Sequence, residues 1–260
     1  MRKGLVVLVA VVVVAGLAIG AIVWQAANRP QPGCVVSGER DITLSIEQAE
    51  YAATIAGVGY AEGLPNHAVT VALATALQES GLRNLDGGDR DSAGLFQQRP
   101  SQGWGTHAQV TDPVHAAQAF YRVLREQPDW QHISVTEAAQ VVQRSAYPAA
   151  YAQWEPQATA IARALTGEAP ATLTCRDVPL TVPGADIATV AARELGTAKL
   201  SGPQPTDRGW AIASWLVAHS ARFGVDQVSY GGRQWTADSG VWSPSATDAG
   251  TLALRRASAG

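Results

Sequence analysis

The chain has 260 residues, is 47% hydrophobic and carries a formal net charge of −3 at neutral pH, with two cysteines, five histidines and one methionine. That length allows one large domain or two small ones. The acidic balance excludes an electrostatically driven nucleic-acid binder. The lack of HExxH, of CxxC and of any ligand-like spacing among the histidines leaves no cofactor or metal to expect.

Apolar residues concentrate at the N-terminus. Residues 4–24 are uncharged and follow Arg2 and Lys3; the run is long enough to cross a membrane as a helix, with the basic flank in the cytoplasm. Residues 1–27 therefore read as a single-pass plasma-membrane anchor, with the rest of the chain extracytoplasmic. A cleaved signal peptide is the alternative, although its apolar core is usually shorter and Gln25, Ala26 and Ala27 make a poor cleavage site. A lipoprotein signal at Cys34 is weaker still, because Gln31 stands where Leu is needed. Every version exports the chain to a compartment in which disulfides persist. Cys34 and Cys175 are thus expected to pair, the alternative being two buried thiols. Residues 28–43, with Pro30, Pro32 and Gly33, read as a linker.

Residues 44–167 read as helix after helix. Ser45 and Gln48 form a capping box before apolar Ile46, Ala49, Ala53 and Ala56, and Gly63 and Pro65 stop that helix. Asn66 is placed to cap a second helix from 67 to about 80. Asp112 and Pro113 start a third, with Ala116, Phe120, Tyr121 and Leu124 on its apolar face. Ser134 and Glu137 make another capping box. Trp154, Ala158, Ile161 and Leu165 form the stripe of a last helix that Gly167 closes. The expectation is an all-α domain interrupted by one long irregular segment, 83–111; ordered loops of that length are usually functional. Residues 168–184, which contain Cys175, read as a second linker. Residues 185–256 read as a small α+β module, with helices over 187–195 and 207–223 and short strands near Val228, Trp235, Trp242 and Leu252. Its Trp210, Trp215, Trp235 and Trp242 are expected to fill a core.

The sharpest chemical feature is Glu79, at the end of the second helix. Its neighbours on the helix face are Ala72, Thr75 and Ala76. A carboxyl held at the mouth of such a surface loses hydration, which raises its pKa and suits a general acid. The segment that follows holds Gly94, Gln97, Gln98, Trp104 and Gly105. Glycines, amides and a flat ring are what a sugar cleft needs, and Trp104 is the candidate stacking platform. Arg90 and Arg99 either meet acidic groups of a substrate or pair with Asp89 and Asp91; the second is preferred.

The order Glu79-Ser80, then Gly94-Leu95-Phe96-Gln97, then Ser145-Ala146-Tyr147 resembles the soluble lytic transglycosylases, relatives of goose-type lysozyme. The anchored arrangement also resembles membrane-anchored actinobacterial envelope proteins of undescribed role. The first resemblance implies an all-α lysozyme-like fold over 44–167 that cleaves peptidoglycan glycan strands. Position by position, it makes Glu79 the acid/base, Ser80 a residue that orients it, Gln97 a glycan-contacting amide and Tyr147 a cleft tyrosine bonded to the acid. Phe96 stands where the family has Met and Pro148 where it has Asn, so Tyr151 competes with Tyr147 for the last role. The implied product is a 1,6-anhydro-muramyl end made by one carboxyl acting twice. Simple hydrolysis would want a second carboxylate, for which Asp86, Asp89 and Asp91 are candidates; their other reading is turn-forming. The alternative from another class is a non-catalytic peptidoglycan-binding or scaffold protein that keeps the cleft.

Overall fold

The computed structural model describes residues 31–144, 148–180 and 186–257, with the single residue 20. The anchor expected over 4–24 lies outside the described residues apart from Gly20, and no described helix is long and apolar enough to cross a membrane. From Pro32 onward the chain packs as one compact unit.

The expected all-α domain followed by a small separate module is corrected: the fold is mixed α+β, with two antiparallel sheets. The first sheet has order β2-β1-β3, from β1 (Gly33–Val36), β2 (Ile42–Leu44) and β3 (Leu173–Arg176). Cys34 faces Leu44 on one side and Cys175 on the other, and the two cysteines form a disulfide. These strands fall in the stretches read as linkers. Pro30, Pro32 and Gly33 gave that reading, but the prolines precede β1, and from Cys34 to Val36 the chain alternates buried and half-buried residues as a strand does.

The helical part follows the sequence closely. α1 (Ile46–Ala61) starts at the Ser45 capping box, with both reciprocal bonds to Gln48 made. It is buried nearly all round, as befits a central helix, and packs on α2 (Asn66–Ser80), α4 (Pro113–Arg125), α7 (Ile187–Leu195) and α8 (Thr206–Ala218). Gly59 permits this crowding: a Cβ there would sit 2.8 Å from the Tyr121 hydroxyl. α2 begins one residue early, with Pro65 at the cap and Asn66 inside the helix. Segment 83–111 is not wholly irregular, since it contains a 3-10 turn (Pro100–Gln102) and the short α3 (His107–Val110). α5 (Val135–Gln143) keeps the Ser134 capping box. A 3-10 stretch (Pro148–Trp154) then leads into α6 (Glu155–Leu165).

After α7 and α8, the expected 207–223 helix breaks at His219, and α9 (Ser220–Phe223) ends at left-handed Gly224. The second sheet has order β4-β8-β5-β6-β7, from β4 (Gly202–Pro203), β5 (Val225–Tyr230), β6 (Arg233–Thr236), β7 (Trp242–Pro244) and β8 (Thr251–Arg256). Gly231 and Gly232, both at positive φ, make the two-residue turn between β5 and β6.

The C-terminal elements share one apolar core with the helices: Trp215 and Trp235 belong to the same cluster as Ile55, Leu73 and Phe96. Each such side chain contributes roughly 2–3 kcal/mol by burial. Two indoles also stitch the sheets together, Trp235 donating to the Cys175 carbonyl at 3.1 Å and Trp242 to that of Leu173 at 2.8 Å.

Candidate active site

α2 turns Ala68, Ala72, Thr75 and Ala76 into the core; such small side chains let α6 and the 3-10 stretch pack against it. The helix closes at left-handed Gly81, with the Leu82 amide donating to the Ala76 carbonyl at 3.1 Å, a Schellman-type ending. Glu79 and Ser80 therefore sit in the final turn, where α5 and the 3-10 stretch supply the covering side chains.

Glu79 is half-buried. The Tyr151 hydroxyl donates to its Oε1 at 2.8 Å, and Tyr151 is itself wholly buried. Burial pushes the carboxyl pKa above the ordinary value, and hydrogen bonds from Tyr151 and Gln143 offset part of that rise. Among the described residues, which include every acidic side chain of the sequence, no neighbouring charge contributes. Desolvation is thus the cause of the rise. Tyr151 donates to Oε1, and Gln143 donates to the same carboxyl group.

Of the two tyrosines open in the sequence, Tyr147 lies outside the described residues and Tyr151 makes the bond to Glu79. Ser80 does not touch the carboxyl. Its hydroxyl is 2.7 Å from the Leu95 carbonyl and 3.0 Å from that of Ala76, and it accepts from the Arg83 amide at 3.2 Å. It fastens the 93–98 turn to the end of α2 and so acts on Glu79 only through placement.

That turn is closed by reciprocal backbone bonds between Ala93 and Gln98, each 3.0 Å. Gly94 has φ +78°, and a Cβ there would lie 2.0 Å from the Val110 carbonyl oxygen, so only glycine fits. Leu95 and Phe96 are fully buried, and Phe96 stacks on Phe120 with centroids 4.8 Å apart. The Met-to-Phe departure is therefore filled by an aromatic pair. Gln97, at φ +47°, is half-buried and folds back: its Oε1 accepts from Ser92 at 3.0 Å and its Nε2 donates to the Gly94 carbonyl at 3.2 Å. Gln98 is buried, with its amide donating to the Ala116 carbonyl of α4 at 3.1 Å. It anchors the loop to α4 and does not line a cleft. Trp104 is half-buried, with part of its ring against the core cluster.

The three candidate second carboxylates are employed elsewhere or lie in solvent. Asp91 pairs with Arg99 at 2.8 Å and accepts from the Ser101 amide at 2.7 Å; these bonds hold its pKa far below the ordinary value. Asp86 and Asp89 are almost fully exposed, Asp86 beside His107 and Asp89 beside Arg90 at 3.9 Å. The preferred pairing of Arg90 and Arg99 with loop aspartates is what the structure has.

Sequence reasoning missed Gln143 and the pair formed by Gln78 and Trp154. The Gln143 amide donates to the Phe96 carbonyl at 2.8 Å, tying α5 to the same turn that Ser80 holds. The Trp154 indole donates to Gln78 Oε1 at 2.8 Å. The last residue of a helix just before a motif, and an amide just before the acid, were the signals available. No family model matches the chain, and no protein of curated function matches it.

Proposed function

We propose that the chain cleaves the glycan strands of peptidoglycan as a lytic transglycosylase, with Glu79 as sole acid and base. The observation that carries this reading is a half-buried Glu79 bonded to Tyr151, its pKa raised by desolvation, with no second carboxylate acting on it among the described residues. Glu79 gives its proton to the bridging oxygen as the muramyl C1–O bond breaks. The resulting carboxylate takes the proton of the same sugar's C6 hydroxyl while that oxygen bonds C1. Glu79 ends protonated, no water is consumed, and the product is a 1,6-anhydro ring. Tyr151 and Gln143 stabilise the anionic stage, the point at which a preorganised donor is most effective.

The disulfide fits an oxidising, extracytoplasmic setting. Residues 4–24 as a membrane tether would hold the enzyme beside the wall, and an acidic chain on an anionic polymer needs such tethering and cleft contacts in place of bulk attraction.

The test is digestion of purified sacculi by the full chain in detergent, read as release of soluble muropeptides. The native protein is expected to release them, and Glu79→Gln to reduce the rate at least about a thousandfold, as loss of an essential proton donor does. Binding to sacculi without release by the native protein would instead establish the non-catalytic wall binder.

A further inference from the structure

Beside the Glu79 site lies a groove of about 730 Å³. One wall is the tip of the β1–β2 hairpin, with Glu39 and Arg40; the other is α6, with Gln157 and Arg163. Ile42 and Ala160 give it a half-buried apolar floor. Gln153 forms one end, and its Nε2 reaches Gln78 Oε1 at 3.1 Å. Gln78 precedes Glu79, and Tyr151, two residues before Gln153, touches the Glu79 carboxyl. Gln153 and Gln78 thus link one end of the groove to the last turn of α2, which carries Glu79.

Its chemistry differs from that of the site. In the 83–111 segment Arg99 is held by Asp91 at 2.8 Å, and Arg90 stands 3.9 Å from Asp89. In the groove, Arg40 and Glu39 are adjacent, exposed, and in no ion pair among the described residues. Arg163 pairs with Glu168 at 3.6 Å, both side chains being more than half exposed. A cation and an anion side by side over an apolar strip, with the Gln157 amide on the α6 wall, match a short peptide carrying both a carboxylate and an ammonium group. Among the described residues no aromatic ring lines the groove, so they offer no stacking surface on which a further sugar would rest. The hairpin wall is fixed in place by the Cys34–Cys175 bond and by the Ser37 amide donating to the Thr172 carbonyl at 2.9 Å.

We propose that this groove binds the peptide branch of the strand whose glycan lies at Glu79. A peptide carboxylate meets Arg40 and Arg163, and the ammonium of its diamino acid meets Glu39. The assignment rests on the glycan-strand reading above and adds to it: the enzyme would select strands that still bear peptides.

The test titrates the full chain carrying Glu79→Gln, which removes turnover, with peptide-bearing strands and with the same strands stripped of peptide by an amidase. Adding Arg40→Glu, or separately Arg163→Glu, is expected to weaken binding of the peptide-bearing strands at least about fivefold, the scale of one partly exposed ion pair, and to leave the stripped strands unchanged. Both positions are exposed, so folding is not at stake. Equal losses on both strands, or no loss on either, would overturn the groove assignment while leaving glycan cleavage by the native chain intact. Arg40-dependent peptide binding by a native chain that releases nothing from sacculi would keep the groove and discard the glycosidic reading.

Discussion

In the proposed mechanism Glu79 holds one proton and then releases it, and Tyr151 acts on that balance. Burial favours the neutral acid, while the tyrosine bond favours the anion. Tyr151→Phe removes the second influence, so the carboxyl pKa should rise further. Because kcat/KM needs the protonated acid, the alkaline limb of the pH profile is expected to move to higher pH, with a lower maximum rate because the anionic stage loses a donor. A limb that stays in place or moves to lower pH would mean the hydroxyl does not act on Glu79. The stability cost should be about 1 kcal/mol, that of one buried hydrogen bond. Glu79 stood out in the sequence less by its small, apolar helix face than by the Gly94–Gln97 segment and the tyrosines that follow it. Tyr151 was not separable from Tyr147, since both lie in a stretch with Pro148 and no clean helical period. Gln97 and Gln98 show the complementary limit: adjacent amides look alike in sequence, and only the turn geometry decides that one folds back on Gly94 and the other reaches α4.

At the level of elements, the 93–98 turn is the part that sets the site, since Ser80, Gln143 and Gln98 tie it to α2, α5 and α4. Gly94→Ala would force a Cβ onto the Val110 carbonyl at a positive φ. The expected cost is at least about 1–3 kcal/mol of stability, with loss of sacculus digestion larger than the drop in melting temperature explains. An unchanged activity would show that the turn does not position the acid. The helices were readable because their caps are local chemistry: Ser45 with Gln48, Asp112 with Pro113, and Ser134 with Glu137 each announce a start. The first sheet was not readable. β1, β2 and β3 are only three or four residues long, and β3 pairs with β1 across the whole helical block. No local pattern reports a partner 141 residues away, although the two cysteines did mark it.

Across the molecule, one device closes the chain around the first helical block and another binds the C-terminal elements to the helices. The disulfide closes a loop spanning most of the helical block, worth up to about 5 kcal/mol in the chain-entropy account. The second is Glu194 of α7, almost fully buried. Its Oε2 accepts from Thr54 of α1 at 3.0 Å and from the Trp215 indole of α8 at 2.8 Å. His219 Nε2 lies 3.4 Å away, a charge contact more than a hydrogen bond at that distance. Burial alone would raise the Glu194 pKa, but the His219 charge and the donors outweigh it and leave it lowered. A lowered carboxyl contributes stability that is present above its ordinary pKa and lost as pH falls through the folded value. Glu194→Gln should therefore cost about 3 kcal/mol at neutral pH and flatten the acid side of the stability curve in denaturant titrations. An undiminished acid slope would place the sensitive group elsewhere. The sequence divided the chain at 168–184 because breakers cluster there. The shared core of Trp215 and Trp235 with Ile55 and Leu73 was out of reach, since periodicity shows that a face is apolar and not what covers it.

The central claim is that a single carboxyl closes the sugar on its own hydroxyl. Digestion of sacculi by the full chain in heavy-oxygen water, followed by mass analysis of the released muropeptides, addresses it directly. The account predicts anhydro-muramyl ends that carry no solvent oxygen; reducing ends labelled at C1 would show that water is the nucleophile and would contradict it.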